Sequence, residues 1–89
     1  MMSLIDEVNL KYAYSIDIHG MSVNEAKRFL ERTIISLDRK IRDVIIIHGY
    51  NSGNALQFMV RNELHCKRIK EKIIPLNPGR TILRINSYC

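Results

Sequence analysis

The stretch VIIIHGYNSGNAL, residues 44–56, decides how this chain folds. Val44 to Ile47 is the longest uninterrupted apolar run, with no polar alternation, and marks a strand over Asp43–Ile47 covered on both faces or nearly so. His48-Gly49 ends it, and a loop containing Asn51, Ser52, Gly53 and Asn54 follows. Leu56, Met59, Val60 and Leu64 then recur at helical spacing, predicting a helix that closes near Cys66–Arg68. A buried strand, a glycine loop and a helix make one unit of a parallel sheet, and the flanking segments are read outward from it.

Upstream, Tyr12 to Ile18 alternates, with Ile16 and Ile18 on one face and Ser15 and Asp17 on the other. His19-Gly20 ends that strand. Ser22 and Glu25 match a capping box, and Val23, Ala26, Leu30, Thr33, Ile34, Leu37 and Ile41 trace one helix face to about residue 40. Downstream, KIIPL (72–76) reads as a third strand, NPGR (77–80) as a turn and TILRI (81–85) as a fourth strand. Pro75 cannot donate to a ladder, which puts the third strand at a sheet edge and the fourth inside, beside the second. The expected fold is an α/β two-layer sandwich of order β-α-β-α-β-β. Its four-stranded mixed sheet carries both helices on one face, its crossovers are right-handed, and only its last strand is antiparallel. Residues 1–11 are expected to form an N-terminal arm and 12–89 the domain.

Composition narrows the function classes. Apolar residues make up 46% of the 89, enough for a core, but there is no Trp and only two Phe and four Tyr, so aliphatic side chains must fill it. Fourteen Lys and Arg against nine acids leave a net charge of +5, which favours polyanionic partners as well as a merely solvated cationic surface. Cys66 and Cys89 have neither disulfide-framework nor zinc-ligand spacing. The opening MMSLIDEVNLKYAY has acids and no apolar h-region, and no run is long enough to span a bilayer. No membrane association is expected, and the expected setting is the cytoplasm.

The second strand's ending has a counterpart. IDIHG (16–20) and IIIHG (45–49) both close a parallel strand with His-Gly and lead into a helix. Such loops lie together beyond the carboxyl ends of the strands, where ligands bind in open α/β sheets. Two helix starts there would aim free amides at an anion, and Gly49 and Gly53 allow a close backbone approach, as Asn51 does by tolerating positive φ. Neither a Walker sequence nor G-x-G-x-x-G is present. Asp17 and His19, two apart, start on one face. Either Asp17 orients an imidazole acting as general acid or base near neutral pH, or it only caps nearby amides. No further carboxylates accompany Asp17, so a two-metal site is not expected. No cofactor is firmly indicated, and a divalent metal shared with substrate phosphate stays open. Tyr50 can stack on a base or lie over the loop as a lid. Arg80, Lys27 and Arg28 are the cations nearest the expected cleft, whereas KRIKEK (67–72) reads as a solvated helix end. His65 reads as solvated on the second helix.

These residues resemble the small MutS-related, or Smr, domain family. IDIHG is similar to its Leu-Asp-x-His-Gly signature, IIIHGYNSGNAL to its His-Gly-x-Gly signature, and NPGRTILRI to its last turn and strand. The resemblance covers roughly residues 14–86 and implies a fold similar to the C-terminal domain of a translation initiation factor. It also implies DNA nicking or RNA cleavage, including ribosome-linked cleavage, with some members only binding. By the same resemblance, Asp17, His19 and Gly20 match the first signature, and His48, Gly49 and Gly53 the second. Asn51 stands where the family has a glycine, Tyr50 replaces a frequent lysine, and the loop is one residue longer, departures that bear on activity more than on fold. The expectation is a nucleic-acid-binding domain and endonuclease. Asp17, His19 and His48 would serve catalysis, and the amides of residues 49–54 would stabilise charge on the phosphorus oxygens. Two alternatives are a non-catalytic nucleic-acid or ribosome-binding module, and an interaction domain whose apolar open sheet face forms a homodimer.

Overall fold

The computed structural model describes residues 12–50 and 53–87; the expected arm and loop residues Asn51 and Ser52 lie outside them. The elements are β1 (Ala13–Asp17), α1 (Val23–Ser36), β2 (Asp43–Ile47), α2 (Ala55–Phe58) running straight into a π-helical segment (Met59–Glu63), β3 (Ile69–Ile73) and β4 (Arg80–Ile85). The sheet order is β1-β2-β4-β3, with β1 and β2 parallel and β4 antiparallel to both neighbours, as the pattern predicts.

Each strand alternates between two environments. Ile16, Ile18, Val44, Ile46, Leu83 and Ile85 pack against Ala26, Leu30 and Ile34 of α1 and against Met59, Val60 and Leu64. These aliphatic side chains form one core among the described residues, across which β1 and β2 pair in register, Ile16 opposite Ile46 and Asp17 opposite Ile47. The opposite face is less uniformly apolar than expected. Ile45, Ile82 and Ile73 lie side by side in register across it, and Asp43, Arg84 and Glu71 form the next row. Arg84 reaches Asp43 at 3.1 Å and Glu71 at 3.6 Å.

The capping box forms as expected: the Ser22 hydroxyl accepts from the Glu25 amide and donates to the Glu25 carboxylate. At the other end α1 stops at Ser36, short of the predicted residue 40. Leu37 turns extended there (φ −65°, ψ 147°), and the carbonyls left free are met by Arg68, a residue 2% exposed whose guanidinium donates to Ile34, Ile35 and Leu37, with Nε donating to the Asn86 carbonyl. The last turn of α1 has no basic residue of its own, so this distant cation satisfies its orphan carbonyls. The reading of KRIKEK as a solvated helix end is therefore corrected: Arg68 is buried, and residues 69–72 belong to β3.

The second helix is also shorter than predicted. Its π turn closes with the Leu64 amide donating to Met59 at 2.8 Å, so His65 lies beyond it, exposed in the connection. The Lys72 ammonium donates to the Leu64 carbonyl at 2.7 Å and approaches that of Arg61 at 3.4 Å, and burial pushes its pKa down. The third strand is Ile69–Ile73 rather than 72–76. Pro75 thus lies past its end, and the strand is at the edge without Pro75 being in it.

Candidate functional site

Both His-Gly turns leave the same end of the sheet. Asp17 stands opposite Ile47, and the Ile18 amide donates to Ile47 at 2.9 Å, which brings Ile18 beside His48 and His19 beside Gly49. A Cβ added to Gly49 would lie 3.8 Å from that of His19. The NPGR turn closes against them: the Gly79 carbonyl accepts from the amides of both His48 and Gly49. Gly79 is closely surrounded: a Cβ there would stand 3.3 Å from Asn77 Oδ1, 3.4 Å from Gly49 Cα and 3.5 Å from the Tyr50 ring, so Asn77 would have to give slightly. Gly49 itself has φ +71°, a left-handed conformation that costs little only without a side chain.

The first turn presents an exposed acid–base pair. His19 Nδ1 lies 2.6 Å from Asp17 Oδ1, and the His19 amide donates to the same oxygen at 3.0 Å. An ionised carboxylate only accepts, so the ring carries its proton on Nδ1 and leaves Nε2 facing outward. The side-chain and backbone bonds from His19 hold the Asp17 carboxyl below its usual range. The two readings of Asp17 coincide in the structure, since one oxygen both orients the imidazole and caps an amide.

The second turn is built differently. His48 is 4% exposed. Its Nδ1 lies 2.9 Å from the Gly49 carbonyl, which only accepts, so Nδ1 bears the proton and Nε2 accepts from the Thr81 hydroxyl at 2.8 Å. Thr81 in turn accepts from Arg61 Nε at 2.9 Å, and Arg61 also donates to the Arg80 carbonyl. Burial, helped by the Arg61 charge, pushes the His48 pKa down. Both ring nitrogens are thus engaged inside the protein, and the Gly49 amide expected to meet phosphate is donated to Gly79.

Between the turns lies a cleft of about 700 Å³. Its lining includes His19, Gly20, His48, Gly49, Tyr50 and Gly53 from the predicted set, and the first residues of both helices, Val23 and Ala55. Asn54 precedes α2 without a capping bond from its side chain. Lys27 and Arg28 do not line the cleft; they border a separate depression with Asn24 and Glu31. Arg80 is exposed at the start of β4, opposite Ile47, whose other neighbour in the sheet is Asp17. Asn51 and Ser52 fall outside the described residues. Among the described residues no group of three or more His, Cys, Asp or Glu side chains is placed to hold a metal ion. Reading from sequence missed Thr81 and Arg61. Alternation in TILRI puts Thr81 on the face of Leu83 and Ile85, a buried hydroxyl that needs a partner. Arg61 carried no such signal, because the π turn sets its direction.

The Smr domain model matches residues 16–76. The chain belongs to the Smr domain family. Smr domains bind nucleic acids, and nicking endonucleases are found among them. The fold matches the crystal structure of the Smr domain of Thermus thermophilus MutS2 with a TM-score of 0.63 over 82% of this chain and 98% of that one. Sequence identity there is 20%, so that likeness speaks for the fold alone. Adagio-like protein 2 of Oryza sativa subsp. japonica is 28% identical over 75 residues, which are 84% of this chain and 11% of the rice protein. The chain therefore spans about a tenth of that relative's length.

Proposed function

We propose that this Smr domain binds nucleic acid at the cleft between its two His-Gly turns and cleaves phosphodiester bonds with the Asp17–His19 pair. The observation that carries the reading is the 2.6 Å contact between His19 Nδ1 and Asp17 Oδ1. It commits one nitrogen to a carboxylate and leaves Nε2 exposed for proton transfer, the arrangement a general base or acid requires. The net charge of +5 supports an anionic partner, and Arg80 stands on the same sheet row as Asp17. In this reading His48 does no proton transfer. It holds the Gly49 turn in place through Thr81 and Arg61. With so few reacting groups, a binding module using the same cleft is the second reading.

One experiment separates them. Nicking of supercoiled plasmid and cleavage of structured RNA are measured for the wild type, Asp17→Asn and His19→Ala, with divalent ions and with EDTA. Both variants are expected to lose cleavage and keep most of their affinity. A wild type that binds but cuts neither substrate under any divalent ion supports the binding module. Affinity should fall steeply with salt, as counterion release demands. Affinity absent at low salt, with self-association instead, would put the interaction domain ahead of both.

A further inference from the structure

We infer that the substrate recognised at this site, granted the nucleic-acid reading above, is an unpaired nucleotide whose base enters the cleft while its phosphate meets His19. The cleft has the wrong lining for a groove that tracks only a phosphate backbone. Met21, Val23 and Leu56 line it; each packs on the core and each is only partly buried, so the lining carries apolar surface. His19 lines the same cleft, and its imidazole is 72% exposed. Apolar lining beside an exposed acid–base pair suits a flat heterocycle joined to a phosphate.

Size agrees. About 700 Å³ falls within the roughly 300–1,000 Å³ typical of small-molecule sites, ample for one base and its sugar. Tyr50 supplies the stacking surface. Its ring lies beside the glycine of the NPGR turn, 3.5 Å from where a Cβ at position 79 would stand, and the residue is still 55% exposed. A ring braced on one side and open on the other loses little freedom when a base stacks on it. A base inside a perfect duplex cannot reach that lining without being unpaired and unstacked, whereas a single strand or a bulge presents it at little cost.

The test uses fluorescence anisotropy with three labelled probes of equal length: a single strand, a perfect duplex and a duplex with one bulged nucleotide, each as DNA and as RNA. Wild-type protein should bind the single strand and the bulge roughly tenfold or more tighter than the duplex. Tyr50→Ala should lose most of that preference, and Tyr50→Phe should keep it. Ala55→Phe, at an exposed position lining the cleft, should fill the space and lower single-strand affinity with the circular dichroism spectrum unchanged. A 2-aminopurine base in the bulge should change its emission on binding and fail to do so with Ala55→Phe. Equal affinity for all three probes, unaltered by Tyr50→Ala and Ala55→Phe, would overturn the inference and leave nucleic-acid binding standing. No binding of any probe at low salt would overturn both. A preference confined to the RNA or to the DNA set would support the inference and name the substrate.

Discussion

The same dipeptide, His-Gly, ends both parallel strands, and the two histidines are used in opposite ways. His19 is exposed, tied by Nδ1 to a carboxylate and open at Nε2; His48 is buried and tied at both nitrogens. A single-residue offset separates them. Ile16 stands opposite Ile46, so His48 occupies the position on β2 that Ile18 occupies on β1, facing the helices. His19 lies one step further out, beside Gly49. Because side chains alternate along a strand, that step exchanges the two faces. Two copies of a motif therefore need not mean two copies of a function.

The sharpest way to break this contrast is to remove each histidine in turn. His19→Ala or Asp17→Asn should slow cleavage by ~10²–10⁴, the usual worth of one positioned proton-transfer group, with the melting point nearly unchanged because both side chains are exposed. His48→Ala should do the reverse. It leaves the Thr81 hydroxyl proton and the Gly49 carbonyl without their His48 partner, costing about 1–3 kcal/mol of stability, read as a fall of about 4–8 °C in melting point per kcal/mol. At a temperature where the variant is folded, its cleavage should fall far less than that of His19→Ala. Equal loss of rate in the two would erase the distinction.

Thr81→Val is a finer cut. It keeps the shape and removes the hydroxyl between His48 and Arg61, so about 1 kcal/mol should be lost, with little change in the binding of a single strand. Binding that collapses with Thr81→Val would show that the Gly49 turn is held more loosely than its contacts imply.

The smallest effect is one of pH. The folded state holds His48 below its ordinary value of 6.5, so the folded protein refuses a proton that the unfolded chain accepts. The stability this contributes is complete above about pH 6.5 and is lost as pH falls below it. Denaturant titrations on either side of that value should show the loss in wild type, and His48→Ala should lack this part of the slope.

How far these assignments were legible differs element by element. The β-α-β-α-β-β order could be read because Ser22 and Glu25 cap α1 and the apolar spacing changes period at each boundary. The Asp17–His19 pair could be read because β1 alternates, which fixes its faces. β2 is apolar at every position from Val44 to Ile47, so alternation says nothing about which way His48 points. Its direction follows only from the register with β1 and β4. Arg68 was hidden for another reason: within a run of lysines a buried guanidinium looks like any solvated cation. What calls it inward is a set of orphan carbonyls at the end of α1, a demand that only the folded chain creates.

The central claim is that the substrate meets His19 and not His48, and the imidazole nitrogens report on it directly. Long-range proton–nitrogen correlation spectra of ¹⁵N-labelled protein distinguish the tautomer of each ring and follow it as a short single-stranded oligonucleotide is added at low salt. Both rings should carry their proton on Nδ1, the His19 Nε2 resonance should move with added oligonucleotide, and the His48 resonances should stay in place. Movement of the His48 nitrogens with those of His19 left unchanged would contradict that claim.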